Sequence, residues 1–212
     1  MPRGFLALDR IYAEAVRLGS EEAETSLAIS ADACVEHFPR TERERSAAAA
    51  ILTKGEQAAR RAIARRDDDA LAHYALGSIL YSGGHTANAL AAFTDATTRD
   101  ATMGWALLFR AHCLHDLKEW DEAVLAYDAV KASSFEGVIA WRYDLAREQR
   151  AFCLLMAGRR GAAIAAFEMI LARYEREPHL FRDFHDDLMA AADGALAPEL
   201  GTRVAALLAL RR

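Results

Sequence analysis

Cysteine, proline, uninterrupted apolar runs and excess positive charge are all scarce in this chain, and each scarcity excludes a class of protein. Its three cysteines, Cys34, Cys113 and Cys153, are far apart and odd in number, and no Cys-x-x-Cys pair occurs. Neither a disulfide framework nor a structural zinc module is therefore indicated, and each thiol reads as a small core group in a reduced protein. No apolar run approaches the ~20 residues of a membrane-spanning helix. The N-terminal run is broken by Asp9 and Arg10 well before signal-peptide length. No membrane partner is expected, and cytoplasmic residence is. The net charge of −5 at pH 7 supplies no field that would gather nucleic acid or anionic lipid. The basic pairs Arg60-Arg61, Arg65-Arg66, Arg159-Arg160 and Arg211-Arg212 are scattered, and acidic Asp67–Asp69 follows one of them directly. They read as solvated helix faces, with no nucleic-acid partner. Gly-x-Ser-x-Gly, Gly-x4-Gly-Lys-Ser/Thr and Gly-x-Gly-x-x-Gly are all missing, so no enzyme and no cofactor are expected.

What is there is helix. Only four prolines and twelve glycines punctuate 212 residues otherwise rich in Ala, Leu, Arg and Glu, which lose little entropy in a helix. Periodicity near 3.6 predicts a first helix from about Phe5 to Leu18 and a second from Ser20 to Phe38, stopped before Pro39. Thr41-Glu42-Arg43-Glu44 has the form of a capping box opening a third, which runs to about Arg65. Asp67-Asp68-Asp69 suits capping of the next helix; the spacing and glycine of a Ca²⁺ loop are missing. Paired helices follow: Ala70–Ser82 with Thr86–Thr98, Thr102–Asp116 with Trp120–Ala132, and Val138–Ala157 with Arg160–Tyr174. A last pair spans His179–Asp193 and Pro198–Leu210. Gly83-Gly84 and Gly158 supply permissive turns, a task left to Lys118-Glu119 in the middle pair.

The pairs are internally similar. Ala75–Tyr81 aligns with Phe109–His115, and Ala89–Phe93 with Ala123–Tyr127, both at an offset of 34 residues. A third copy, Gln149–Leu154 followed by Ala163–Phe167, stands 40 residues further on, with about six residues inserted around Ser133–Val138. Small Gly77, Ala111 and Ala151 let the first helix of each copy lie close to its partner. Ala89, Ala123 and Ala163 do the same from the second helix, and Phe93, Tyr127 and Phe167 fill the space between successive hairpins.

On these residues the chain resembles the tetratricopeptide repeat family. His73-x2-Leu76-Gly77-x2-Leu80 stands where that family carries its Trp-Leu-Gly-Tyr signature, and Ala89-x3-Phe93 with Ala96 matches the second helix. Ala111, Leu114, Trp120, Ala123 and Tyr127 fit in the second copy; Ala151, Leu154, Gly158, Ala163 and Phe167 fit in the third. The early Trp and the late Pro are absent from all three, Ala101 standing at the first Pro position. The resemblance covers 70 to about 174, and Gly55, Ala59 and Ala62 fit the second helix of a degenerate earlier repeat. It implies an all-α, right-handed α-solenoid of antiparallel helix hairpins. Residues 1–69 would be N-terminal helices with the degenerate repeat, 70–177 three repeats (70–101, 104–137 and 144–177), and 178–212 a capping pair.

In such a solenoid the first helix of each repeat lines a concave groove. The face opposite the core stripe carries Leu71, Tyr74, Ser78 and Tyr81, then Trp105, Leu108, His112 and His115 with Asp116, then Leu145, Glu148, Phe152 and Leu155. This aromatic, apolar strip is expected to bind a peptide or helix of another protein, as scaffold, adaptor or assembly factor. The Lys and Asn side chains with which some family members grip a terminal carboxylate have no counterpart at Tyr74, Ser78, His112 and Glu148. The chain's own first or last helix could instead cover the strip. Two further readings are a homo-oligomer formed through the groove or a terminal hairpin, and a metal-dependent enzyme at His112 and His115; no metal is expected, since no paired ligand motif supports one. His179, Asp183, His185, Asp186 and Asp187 form a second polar cluster, read as solvent-facing.

Overall fold

The structure is a computed structural model that describes residues 10, 13, 14, 17, 22–35, 42–181, 185–194 and 198–209. Among the described residues the fold is all-helical, with no strand and ten α-helices. They are α1 (Ala23–Val35), α2 (Glu42–Arg65), α3 (Ala70–Ser82), α4 (Thr86–Arg99), α5 (Gly104–Asp116), α6 (Trp120–Ala129), α7 (Trp141–Met156), α8 (Arg160–Arg176), α9 (Asp186–Gly194) and α10 (Pro198–Ala209). Of the expected first helix, Phe5–Leu18, residues 10, 13, 14 and 17 are described and are helical, and the capping Thr41 lies outside the described residues. The chain divides into two compact units, Met1–Cys113 and Leu114–Arg212, the division falling within α5.

In the first unit α1 packs on α2 and α3, α2 on α3, and α3 on α4. Helices come this close only where side chains are small. A Cβ on Gly55 would lie 2.7 Å from the Ala31 Cβ and 2.9 Å from Ile79 Cδ1, so α2 presses its backbone against α1 and α3 at once. Gly77 of α3 is similarly placed: a Cβ there would meet the Phe93 ring of α4 at 2.7 Å, and Phe93 and Ala89 are fully buried. Asp69 caps α3, its Oδ1 accepting from the Leu71 and Ala72 amides at 3.0 and 3.2 Å, while its Oδ2 pairs with Arg66 at 2.8 Å. Buried Glu24 on α1 receives Arg61 and Arg65 of α2 at 2.7 and 3.0 Å. Those two arginines tie helices together, contrary to a purely solvated role.

In the second unit α7 packs on α6, α8 and α9, and α10 on α8 and α9. The final helix thus finds its apolar partners there, Leu200, Val204 and Leu207 joining Phe167, Leu171 and Tyr174 in one core. Helix α6 stops at Ala129, short of Ala132. The insertion then forms two 3₁₀ turns, Ala132–Ser134 and Gly137–Ile139, and delays α7 to Trp141. Phe135, buried to 2% exposure, anchors it, while Val138 stays exposed.

Three helix ends share one turn. The amides of Gly84, Lys118 and Gly158 donate to the carbonyls of Tyr81, His115 and Leu155; the next amides, of His85, Glu119 and Arg159, donate to Leu80, Leu114 and Leu154. The central residue has φ of +78°, +63° and +76° respectively, so Lys118 holds the left-handed conformation that its counterparts assign to glycine. That conformation costs a side-chain-bearing residue roughly 1–2 kcal/mol. Glycine would instead lose roughly 0.5–1 kcal/mol to unfolded-state entropy.

Two outcomes are expected in urea denaturation. Lys118→Gly stabilises the protein by about 0.5–1 kcal/mol. Gly77→Leu, driven into the Phe93 ring, destabilises it by about 3 kcal/mol.

Candidate functional site

In the first unit α3 and the part of α5 up to Cys113 gather their rings around Phe109. Its ring centroid is 6.3 Å from Tyr74, 5.7 Å from Tyr81, 5.5 Å from Phe93, 6.3 Å from Trp105 and 5.5 Å from His112. Phe93 stacks beneath it, nearly parallel, and is fully buried. Tyr74, Tyr81, Trp105, Phe109 and His112 are half-buried. Leu71, one turn before Tyr74, is 45% exposed. Phe109 was not among the groove residues read from sequence, yet Trp105, Phe109 and His112 have the i, i+4, i+7 spacing of one helix face.

Three other expected groove residues are not on a surface. Ser78 is 4% exposed, Leu108 1% and Glu148 0%. Ser78 is on α3, which has α1, α2 and α4 packed against it. Leu108 belongs to a helix that is apolar nearly all round, where periodicity does not single out one exposed face.

Glu148 is instead the centre of a buried polar network in the second unit. Its Oε2 accepts from the Tyr174 hydroxyl at 3.2 Å and lies 2.7 Å from His185 Nδ1. Its Oε1, and Nε2 of His185, have no partner. Burial pushes the Glu148 carboxyl up, the contacts with His185 and Tyr174 offsetting part of this. His185 is 7% exposed and stacked on Phe181 at 4.0 Å, which corrects its assignment to solvent. Exposed Asp186 and His179 do face water, and Asp183 lies outside the described residues.

His115 and Phe152 form a second ring group with Trp120: 5.6 Å from His115 to Trp120, 5.8 Å from His115 to Phe152 and 6.1 Å from Trp120 to Phe152. The imidazole of His115 is held by carboxylates on both sides, Asp187 Oδ2 3.1 Å from Nε2 and Asp116 Oδ1 3.4 Å from Nδ1. Burial alone would lower its pKa, but the two acids more than compensate and raise it to about 9. Among the described residues no group of three or more His, Cys, Asp or Glu side chains is arranged to hold a metal ion. Cys113 and Cys153 are buried, and burial, reinforced by Asp187, pushes Cys153 up to about 12. The side chain of Cys34 lies outside the described residues. No described helix is long and apolar enough to cross a membrane.

In comparison with known proteins, no protein-family model and no curated protein matches the chain.

The raised pKa of His115 fixes the sign of one pH effect. An unfolded histidine titrates near 6.5, so the stabilisation from charged His115 is complete below that pH and is lost as pH rises through about 9. Stability should fall by roughly 1–2 kcal/mol between pH 6.5 and 9.5, after allowance for solvent screening. Urea midpoints measured across that range check it, with His115→Gln removing most of the slope.

Proposed function

We propose that this protein is an interaction module that binds a peptide or helix of another protein along the face built by α3 and α5. The observation that carries the reading is the ring group around Phe109. Tyr74, Tyr81, Trp105, Phe109 and His112 remain half-exposed side by side, next to exposed Leu71. Aromatic side chains of this kind bring large apolar area with few rotatable bonds, so little entropy is lost when they anchor a partner. Phe93 beneath Phe109 and the Gly77 contact hold the platform before any ligand arrives, which lowers the ordering cost of binding.

The proposal extends to the fold: the shared turn at Gly84, Lys118 and Gly158 and the repeated small-residue contacts support hairpins of the tetratricopeptide type stacked as a right-handed solenoid. The ring face would then belong to its concave side, in a cytoplasmic scaffold, adaptor or assembly factor without catalytic activity.

The test is capture of a partner from the native source, with identification of the bound protein and titration of the purified pair. Tyr81→Ala with Trp105→Ala should weaken that pair roughly 100-fold or more while the helical circular-dichroism signal is unchanged. Undiminished affinity in the double variant overturns the face assignment. Light scattering separates this reading from self-association: a mass that rises with concentration and returns to that of the monomer in the double variant would make a second copy of the chain the partner.

A further inference from the structure

The second unit contains a pocket of about 580 Å³ between α7 and α8, with Ala132 of the insertion on its rim. One wall is Tyr143, Asp144, Arg147 and Arg150; the other is mainly alanine, with Met169, Ile170 and Arg173. The repeat register explains why the space is open and why it is basic. Arg147 occupies the position of His73 and Leu107 in the earlier copies, and Arg150 that of Leu76 and Arg110. His73 and Leu107 are buried, whereas the Arg147 side chain is 36% exposed. Across from it the α8 wall offers small Ala162, Ala165 and Ala166, which cannot fill the gap.

The local acids leave this wall incompletely matched. Asp128 takes Arg150 in a two-pronged pair at 2.6 and 2.9 Å, which leaves Arg147 3.6 Å from the same carboxylate, beyond hydrogen-bond length. Asp144 is 3% exposed. Its Oδ1 is 2.6 Å from Arg173 Nε, and its Oδ2 has no partner. Burial pushes this carboxyl up and Arg173 only partly offsets the effect.

We propose that this pocket binds a small organic acid, a carboxylate with an apolar body. The carboxylate pairs with Arg147, and the body lies over the alanines and Met169, which is 71% exposed. The volume is that of small-molecule sites, apolar with a few convergent polar groups. Arg150 and Arg173 each have an acid within hydrogen-bond length, in Asp128 and Asp144, whereas Arg147 has none that close, so an anion is the group that completes this wall. This site lies wholly in the second unit and does not depend on the binding face of α3 and α5.

3-Phenylpropionate is the probe, titrated calorimetrically into the full chain beside its methyl ester. The acid should bind with a Kd of about 1 mM or tighter. The ester should bind at least about tenfold weaker for want of the charge. Arg147→Gln should weaken the acid at least about tenfold without moving the urea midpoint. Ala162→Phe, at an exposed position on the pocket wall, should block it independently. Equal binding of acid and ester, unaltered binding in both variants, or no binding of the acid overturns the assignment. A partner's acidic side chain offers the same carboxylate. If acetyl-Phe-Glu-Phe-amide binds more than tenfold tighter than phenylpropionate, the ligand is a protein segment and the small-acid assignment falls.

Discussion

Two helices can bring their backbones together only as far as the atoms on Cβ allow, and in this protein two close approaches occur where Cβ is missing. Gly77 rests on the Phe93 ring, and Gly55 fits between Ala31 and Ile79. Everything built on α3 depends on the first contact. Because α4 is drawn in, Phe93 is fully buried and supports Phe109 from below at 5.5 Å. Because Phe109 is supported, Tyr74, Tyr81, Trp105 and His112 have a fixed ring to pack around. Close packing in the interior is thus transmitted, one ring at a time, to a face that water can reach.

The same economy of size runs through the repeats. Ala89, Ala111, Ala123, Ala151 and Ala163 are all at 0% exposure, each leaving room for an aromatic side chain nearby in sequence. Methyl groups at these positions contribute little burial themselves. They let Phe93, Tyr127 and Phe167 be enclosed, and it is those rings that remove most apolar area from water.

Much of this was legible in the amino-acid sequence. Periodicity placed α3 at Ala70–Ser82, its observed span, because Asp69 and Gly83-Gly84 mark both ends chemically. The part played by Gly77 followed from its register. The shared turn was half visible: glycine announced it at Gly84 and Gly158, but Lys118 carries no such signal, and only the offset of 34 residues betrays it. The 3₁₀ turns of the insertion escaped because segments so short have no period to detect. Ser78 and Leu108 escaped for another reason. A helix covered on several sides has no single apolar stripe, so the face opposite the core cannot be read from spacing. Glu148 and His185 were misplaced because sequence assigns charge to the surface by default, and their pairing across 37 residues depends on how α7 meets the chain before α9.

Where the copies agree, the side chains are small or aromatic and serve packing. Where the third copy departs, polar chemistry enters: Arg147 in place of His73 and Leu107, Asp144 and Glu148 buried on α7, and extra chain before it. Each departure costs stability, since a buried carboxyl must recover its lost hydration from a few neighbours. Glu148 recovers it from Tyr174 and His185, contributed by other segments of its own unit, and so serves to specify how they meet. Asp144 recovers it through Arg173 alone, and each of the two carboxyls keeps one oxygen without a partner. The difference between them lies in their surroundings. Glu148 joins segments of its unit and helps to specify how they meet, whereas Asp144 and Arg173 line a cavity whose guanidinium groups a ligand can engage.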